Sequence, residues 1–304
     1  MHDHSHHHYS HAIDAKMLAG RAFKVGIALN VVFIVGEIIA GLEYNSMALL
    51  TDAGHNISDV GSLAISMLAF ALARKKATAI FTYGYKKTTV LAALLNAVLL
   101  LIAVGVIAYE SILRLYNPQP VDGTVVAWIA ALGIVINGIT ALLFFRNKEK
   151  DLNIKSAYLH FVADTLVSLG VVIAGIVVAY TGWNWIDAAL GLLIAAVIVI
   201  STWKLLIESF RLSVDAVPHG ISVKDIKDLI LADVRISEVH HIHIWSLSTT
   251  ENALTAHIHI NDELNFEQKM LVVKDLRHKL MHHNIQHSTI ELESQKNDCR
   301  NKEC

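Results

Sequence analysis

The chain has 304 residues, of which 54% are hydrophobic and 17% charged, with a formal net charge of −2 and a mean hydropathy of +0.47. Soluble proteins carry about a quarter charged residues, so an ordinary soluble globular fold is excluded, and the near-neutral balance offers no basic footprint for nucleic acid. The two cysteines, Cys299 and Cys304, provide no disulfide framework.

Residues 1–16 are polar and His-rich, with His2, His4, His6, His7, His8 and His11 at irregular spacing. They lack the basic start, short apolar core and small-residue cleavage site of a secretory signal. They read as a flexible tail that gathers divalent metal weakly. From residue 17 to 216 the chain is dominated by apolar stretches of about 20 residues, the length that crosses a lipid bilayer. Six spans are predicted: residues 22–42, 47–73, 90–115, 125–145, 154–179 and 186–210. Glu37 lies in the middle of the first. It either handles protons near a transport pathway or hydrogen-bonds Asn30, Asn96 or Asn137 in packing. The second and fifth spans are the most polar, one carrying Asp52, His55, Asn56 and Asp59, the other His160, Asp164, Thr165 and Ser168. Polar groups at that depth face the bundle interior or a water-filled cavity, so these two helices are expected inside. Gly54, Gly61, Ala163 and Gly170 are expected to allow close backbone approach there.

Positive charge alternates between loops. Lys16, Arg21 and Lys24 flank the start of span one, Arg74, Lys75, Lys76, Lys86 and Lys87 follow span two, and Arg146, Lys148, Lys150 and Lys155 follow span four. The intervening loops contain no Lys or Arg. This bias places both termini in the cytoplasm, with Trp183 and Trp185 in the outer interfacial belt. Residues 217–293 are polar and charged. They read as helix (222–233), strand (239–247), strand (253–260), helix (265–283) and strand (289–292) by their hydrophobic periodicity. Strict alternation places His241 and His243 on one strand face, His240 on the other, and His257 with His259 on a shared face. In the closing segment, residues 294–304, Cys299 and Cys304 either donate thiolates to a partner subunit's site or belong to an inert tail.

The chemistry lies in His55-Asn-Ile-Ser-Asp59 and His160-Phe-Val-Ala-Asp164, two His-x-x-x-Asp phrases on antiparallel spans. Residues four apart share a helix face, so each span offers an imidazole and a carboxylate side by side. Antiparallel packing brings His55 level with Asp164 and Asp59 level with His160 near mid-depth. Two neutral imidazoles and two carboxylates form a charge-neutral cage for Zn²⁺, with Co²⁺ next and Cd²⁺ less well served. Asp52, three residues before His55, either orients that imidazole or sits as a solvated acid in an outward vestibule. An intramembrane zinc hydrolase and a non-transporting metal sensor are the rival functions. The first would need a base beside an open metal position, as in His-Glu-x-x-His, and neither phrase has a neighbouring Glu. No nucleotide-binding motif is present, so ATP-driven pumping is not expected.

These phrases resemble the cation diffusion facilitator family of divalent-metal/proton antiporters, in its zinc-selective branch with His at the position of His55. Residues 46–59, the Thr82-Tyr-Gly-Tyr-Lys-Lys87 start of span three, Val239-His-His-Ile-His-Ile-Trp245 and His287-Ser-Thr-Ile-Glu-Leu-Glu293 carry the rest of the likeness. The resemblance implies a bacterial inner-membrane homodimer that exports Zn²⁺ from the cytoplasm in exchange for protons. Its fold would be six transmembrane helices followed by a small α+β ferredoxin-like cytoplasmic domain that mediates dimer contact and binds regulatory metal. The resemblance assigns His240, His257 and Glu291 or Glu293 to that second metal. It also implies a charge interlock between Lys87 and Asp215. The family's basic residue followed two later by Glu is altered here, because Lys87 is followed by Thr88 and Thr89.

Overall fold

A computed structural model describes residues 21–145, 152–261 and 263–293, without the side chains of residues 21–27, 29, 63, 143, 144, 152–157 and 160. The His-rich tail and the tail bearing Cys299 and Cys304 lie outside the described residues. Six long helices come first: α1 Arg21–Glu43, α2 Met47–Ala73, α3 Thr88–Tyr116, α4 Gly123–Phe145, α5 Leu152–Thr181 and α6 Trp185–Ser213. Among the described residues, α2 to α6 each contain a stretch long and apolar enough to cross a membrane. Most of these helices extend one to three residues past the predicted apolar limits, while the second keeps them. At the start of α4 the Asp122 carboxylate accepts from the backbone N–H groups of Thr124 (3.1 Å) and Val125 (3.2 Å), occupying donors that a helix start otherwise leaves open.

The described residues divide into two compact units, those within 1–64 and 96–203 and those within 65–95 and 204–304. In the first, small and branched residues of all six helices form the core, including Ala40, Leu49, Val104, Ala130, Val171 and Ala195. The distribution of polarity is inverted relative to a soluble protein. Val32, Trp128 and Ile200 are each more than 70% exposed, while Glu37, Asp52, Asn137, Asp164 and Asp187 are buried. Apolar faces turned outward and polar groups turned inward suit lipid as the surrounding solvent.

Close helix contacts occur at some glycines, but not at every position where they are expected. A Cβ on Gly175 would stand 2.8 Å from the Ala127 nitrogen, so α4 and α5 touch backbone to backbone. Gly54 lies against Ile107 of α3, whereas Gly61 and Gly170 face open space among the described residues. The expectation that these last two serve close approach is therefore corrected. Small residues permit approach, and which of them are used depends on the crossing points of the helices.

The second unit contains α7 Val223–Leu231, β1 Ile236–Ser246, β2 Asn252–Ile260, α8 Phe266–His282 and β3 His287–Glu293. Ser222 caps α7 by accepting from Asp225 N–H. Asn265 and Gln268 form a reciprocal capping box on α8. The sheet order is β1-β2-β3, with β1 antiparallel to β2 and β2 parallel to β3. Ile230, Leu254, Ile258, Leu276 and Leu280 fill the core between sheet and helices. The Arg235 guanidinium donates to both oxygens of Asp233 at 2.8 and 2.7 Å. These bonds hold the Asp233 carboxyl down at about 2 and push Arg235 further above its ordinary range.

One local feature breaks the strand alternation. The register between β1 and β2 slips between His240 and His243, and His241 has φ of 48°. This bulge brings the His241 ring to 5.2 Å from that of His240 and 5.0 Å from that of His257. His241 is therefore not turned away from His240, as simple alternation requires; a bulge adds a residue and re-aims its side chain.

Candidate metal centre

Helix α2 carries the first half of the candidate centre. Four residues place His55 and Asp59 on one face, and His55 Nε2 lies 3.5 Å from Asp59 Oδ2. Helix α5 supplies Asp164, whose Oδ1 is 3.9 Å from the same nitrogen. Asp164 is only 4% exposed, while His55 and Asp59 retain partial access. Ligands at about 2.0–2.2 Å from a tetrahedral zinc are roughly 3.4 Å apart. The imidazole and Asp59 already have that separation, and Asp164 needs to close by about half an ångström. The structure thus places Asp59 and Asp164 each within 4 Å of the His55 imidazole. His160 lies one turn before Asp164 on α5, and its side chain lies outside the described residues.

A buried polar layer adjoins these residues. Asn56 Nδ2 donates to Glu37 Oε2 at 3.5 Å, and Ser168 Oγ of α5 donates to Asp52 Oδ2 at 3.5 Å. Glu37 and Asp52 are 0% and 2% exposed. Asp52 is therefore no solvated vestibule acid; it joins α2 to α5. Glu37 thus meets Asn56, an asparagine that was not among those expected. Asn96 instead donates to the Ser62 carbonyl.

A further group was not legible in the sequence. Asp187, in the first turn of α6, accepts from Ser46 Oγ (2.5 Å), Met47 N–H (2.5 Å) and Ala48 N–H (3.4 Å). It caps the start of α2 from another helix, two turns from His55. Gly191, one turn on, lies against the Met47 backbone, where a Cβ would stand 3.1 Å from the carbonyl. The first turns of α2 and α6 are thereby fixed to each other.

The sheet of the second unit presents a second constellation. His240 Nε2 and His259 Nε2 each lie 3.2 Å from Glu293 Oε2. His257 reaches Glu293 Oε1 through Nδ1 at 2.7 Å and Glu291 Oε2 through Nε2 at 3.5 Å. Two triads, His240/His259/Glu293 and His257/Glu291/Glu293, have ligand atoms within 4.8 Å of one another and share Glu293. Burial pushes the Glu293 carboxyl up, but the His257 hydrogen bond and the facing His240 and His259 outweigh it and leave it below its ordinary value. His259 was omitted from the predicted set, although its alternation with His257 was a sufficient signal. In the same unit Lys87 Nζ lies 2.5 Å from Asp215 Oδ1 and donates to the Ser246 carbonyl at 2.9 Å. Lys86 pairs with Glu251 at 2.5 Å.

Residues 23–212 match the family description "Cation efflux transmembrane domain", and residues 218–295 match "Cation efflux protein, cytoplasmic domain". The chain is 35% identical over 265 residues to the "Cadmium, cobalt and zinc/H(+)-K(+) antiporter" of Bacillus subtilis, covering 86% of this chain and 85% of that one. It is 34% identical to the "Metal cation efflux system protein CzcD" of Cupriavidus metallidurans, over 90% of this chain and 86% of that protein. It is 30% identical to the "Zinc transporter ZitB" of Escherichia coli, over 99% and 95% of the two chains.

Proposed function

The chain belongs to the cation diffusion facilitator family, zinc, cadmium and cobalt type, and from that premise we propose that it exports Zn²⁺ from the cytoplasm in exchange for protons. Members of this family are cation efflux transporters rather than enzymes, so the hydrolase alternative lapses. The observation that supports the zinc reading most is the His55 imidazole held near the carboxylates of Asp59 and Asp164, which come from two different helices. With His160 as the fourth ligand, two carboxylates cancel the ion's charge in a medium where an uncompensated charge is very costly. Imidazole nitrogen disfavours Mg²⁺ and Ca²⁺, and the lack of thiolate disfavours Cu⁺.

The coupling follows from ligand chemistry. A metal-bound imidazole must be deprotonated, so zinc and protons compete for His55 and His160. Imidazole is also the side chain whose charge ordinarily changes near neutral pH. The antiporter name of the B. subtilis relative supports exchange. Six spans with both termini cytoplasmic, in a bacterial inner membrane, would let the site open alternately to either side. In this reading residues 17–216 form the membrane domain between a His-rich tail (1–16) and a ferredoxin-like dimerisation domain (217–293), followed by the tail 294–304. His240, His257, His259, Glu291 and Glu293 would hold regulatory zinc. The Lys87–Asp215 pair would act as the charge interlock at the start of α3.

Proton release on zinc binding tests the coupling. Zinc is added to the purified full chain in weak buffer with a pH-sensitive dye. The double variant His55→Asn, His160→Asn should release fewer protons than the wild type. Undiminished release would show that these imidazoles do not couple the two ions.

A further inference from the structure

Near the end of α8 lies a pair of imidazoles that neither constellation above uses. His278 and His282 are one turn apart and exposed. Their Nε2 atoms are 3.3 Å apart, with ring centroids at 4.8 Å and ring planes at 86°. We propose that His278 and His282 form a two-point, exchangeable site for borderline divalent cations such as Zn²⁺ and Co²⁺.

Three observations carry this. The first is distance: two nitrogens bound at about 2.0–2.1 Å to one tetrahedral ion stand roughly 3.3–3.4 Å apart, which is the separation found. The second is rigidity. Leu276 and Leu280, which flank His278 and precede His282 on the helix, are fully buried in the core, and Asn265 with Gln268 caps the other end of α8. The backbone that presents the pair is therefore fixed, and little ordering entropy is spent on bringing the two rings together. The third is ligand type: neutral imidazole selects borderline transition ions over Mg²⁺ and Ca²⁺.

The surroundings set the character of the site. Arg277 and Lys279 flank His278 in sequence and oppose a dication. Only two protein donors are present, so water completes the coordination sphere. Both features favour weak binding and fast exchange, and the pair fills only after the two triads that share Glu293. It is a loading site for high zinc, distinct from the triads and from the site between α2 and α5. Without metal, the same 3.3 Å contact is a hydrogen bond between the two rings, its direction set by their tautomers.

Chemical footprinting separates these alternatives in the full-length protein. Diethyl pyrocarbonate carbethoxylates neutral imidazole, and mass spectrometry reads each histidine separately. With ZnCl₂ as the probe, His278 and His282 should be protected together, with one midpoint that lies above the midpoint for His257. His283, one residue further on, is the reference and should stay reactive. Replacing one donor removes the effective-concentration advantage of the other, so His282→Ala should raise the His278 midpoint at least about tenfold. MgCl₂ should protect neither. The inference is overturned if millimolar zinc leaves both rings reactive, if His283 is protected equally, or if His282→Ala leaves the His278 midpoint unchanged.

Discussion

Replacing Asp187 by Ala tests the idea that α6 holds the start of α2 in place. The carboxylate accepts from one hydroxyl and two backbone N–H groups and is 3% exposed, so water cannot readily take over. Each orphaned buried donor costs about 1–3 kcal/mol, and loss of a helix cap costs about 1 kcal/mol. The Ser46 hydroxyl can turn to another acceptor, and the Ala48 bond is long. The local loss is therefore about 3 kcal/mol, dominated by Met47 N–H. At 1.4 kcal/mol per tenfold, amide hydrogen exchange at residues 47–50 should accelerate by about a hundredfold. Asp187→Asn keeps one carbonyl acceptor and should accelerate exchange by roughly tenfold. His55 lies eight residues after Met47, about 12 Å along the helix, so the loosened first turn should also raise the zinc KM. Unchanged exchange at residues 47–50 in the Ala variant would refute the clamp.

Three further outcomes concern stability. Gly175→Ala drives a methyl group against the Ala127 and Gly123 backbone, where nothing can yield, and should cost about 1–3 kcal/mol in thermal melting. Gly36→Ala, which meets nothing within 4 Å, should be neutral or slightly stabilising in the same assay. Asp233→Asn should lose about 1–2 kcal/mol at neutral pH, because the paired Arg235 guanidinium keeps only a neutral acceptor. The Asp233 carboxyl is lowered from 3.8 to about 2. Its contribution is therefore fully present above the ordinary carboxylate value and lost as pH falls through about 2. Wild type and variant should differ in melting at pH 7 and converge at the acid limit; a constant difference would contradict the pairing.

The parts of this molecule that are legible in its sequence are those written locally. Apolar runs set the helices to within a few residues, and the four-residue spacing set the His55–Asp59 pair. Ser222 and Asn265 announce the helices that follow them. What escaped depends on residues far apart in the chain. Asp187 reaches Ser46 across 141 positions, and no local pattern marks an acid that caps another helix. Glu37 could have met any of several asparagines, and its contact with Asn56 is set by how α1 and α2 cross. His241 departs from strict alternation because a bulge at positive φ re-aims it, and no glycine marks it in the sequence. Gly61 and Gly170 were expected at close contacts on size alone, which says that approach is possible but not where helices touch.

Zinc uptake into inverted membrane vesicles, with and without a pH gradient, tests most directly whether α2 and α5 share one cargo site. Wild-type vesicles with an acidic interior should accumulate zinc while lumenal protons leave, so that the interior alkalinises and uptake falls when the gradient is collapsed, whereas Asp59→Ala vesicles, with equal protein in the membrane, should lose at least about 90% of uptake, as expected when one of two charge-neutralising ligands is removed. Uptake that persists unchanged in Asp59→Ala, or zinc binding with no movement in the wild type, would contradict it.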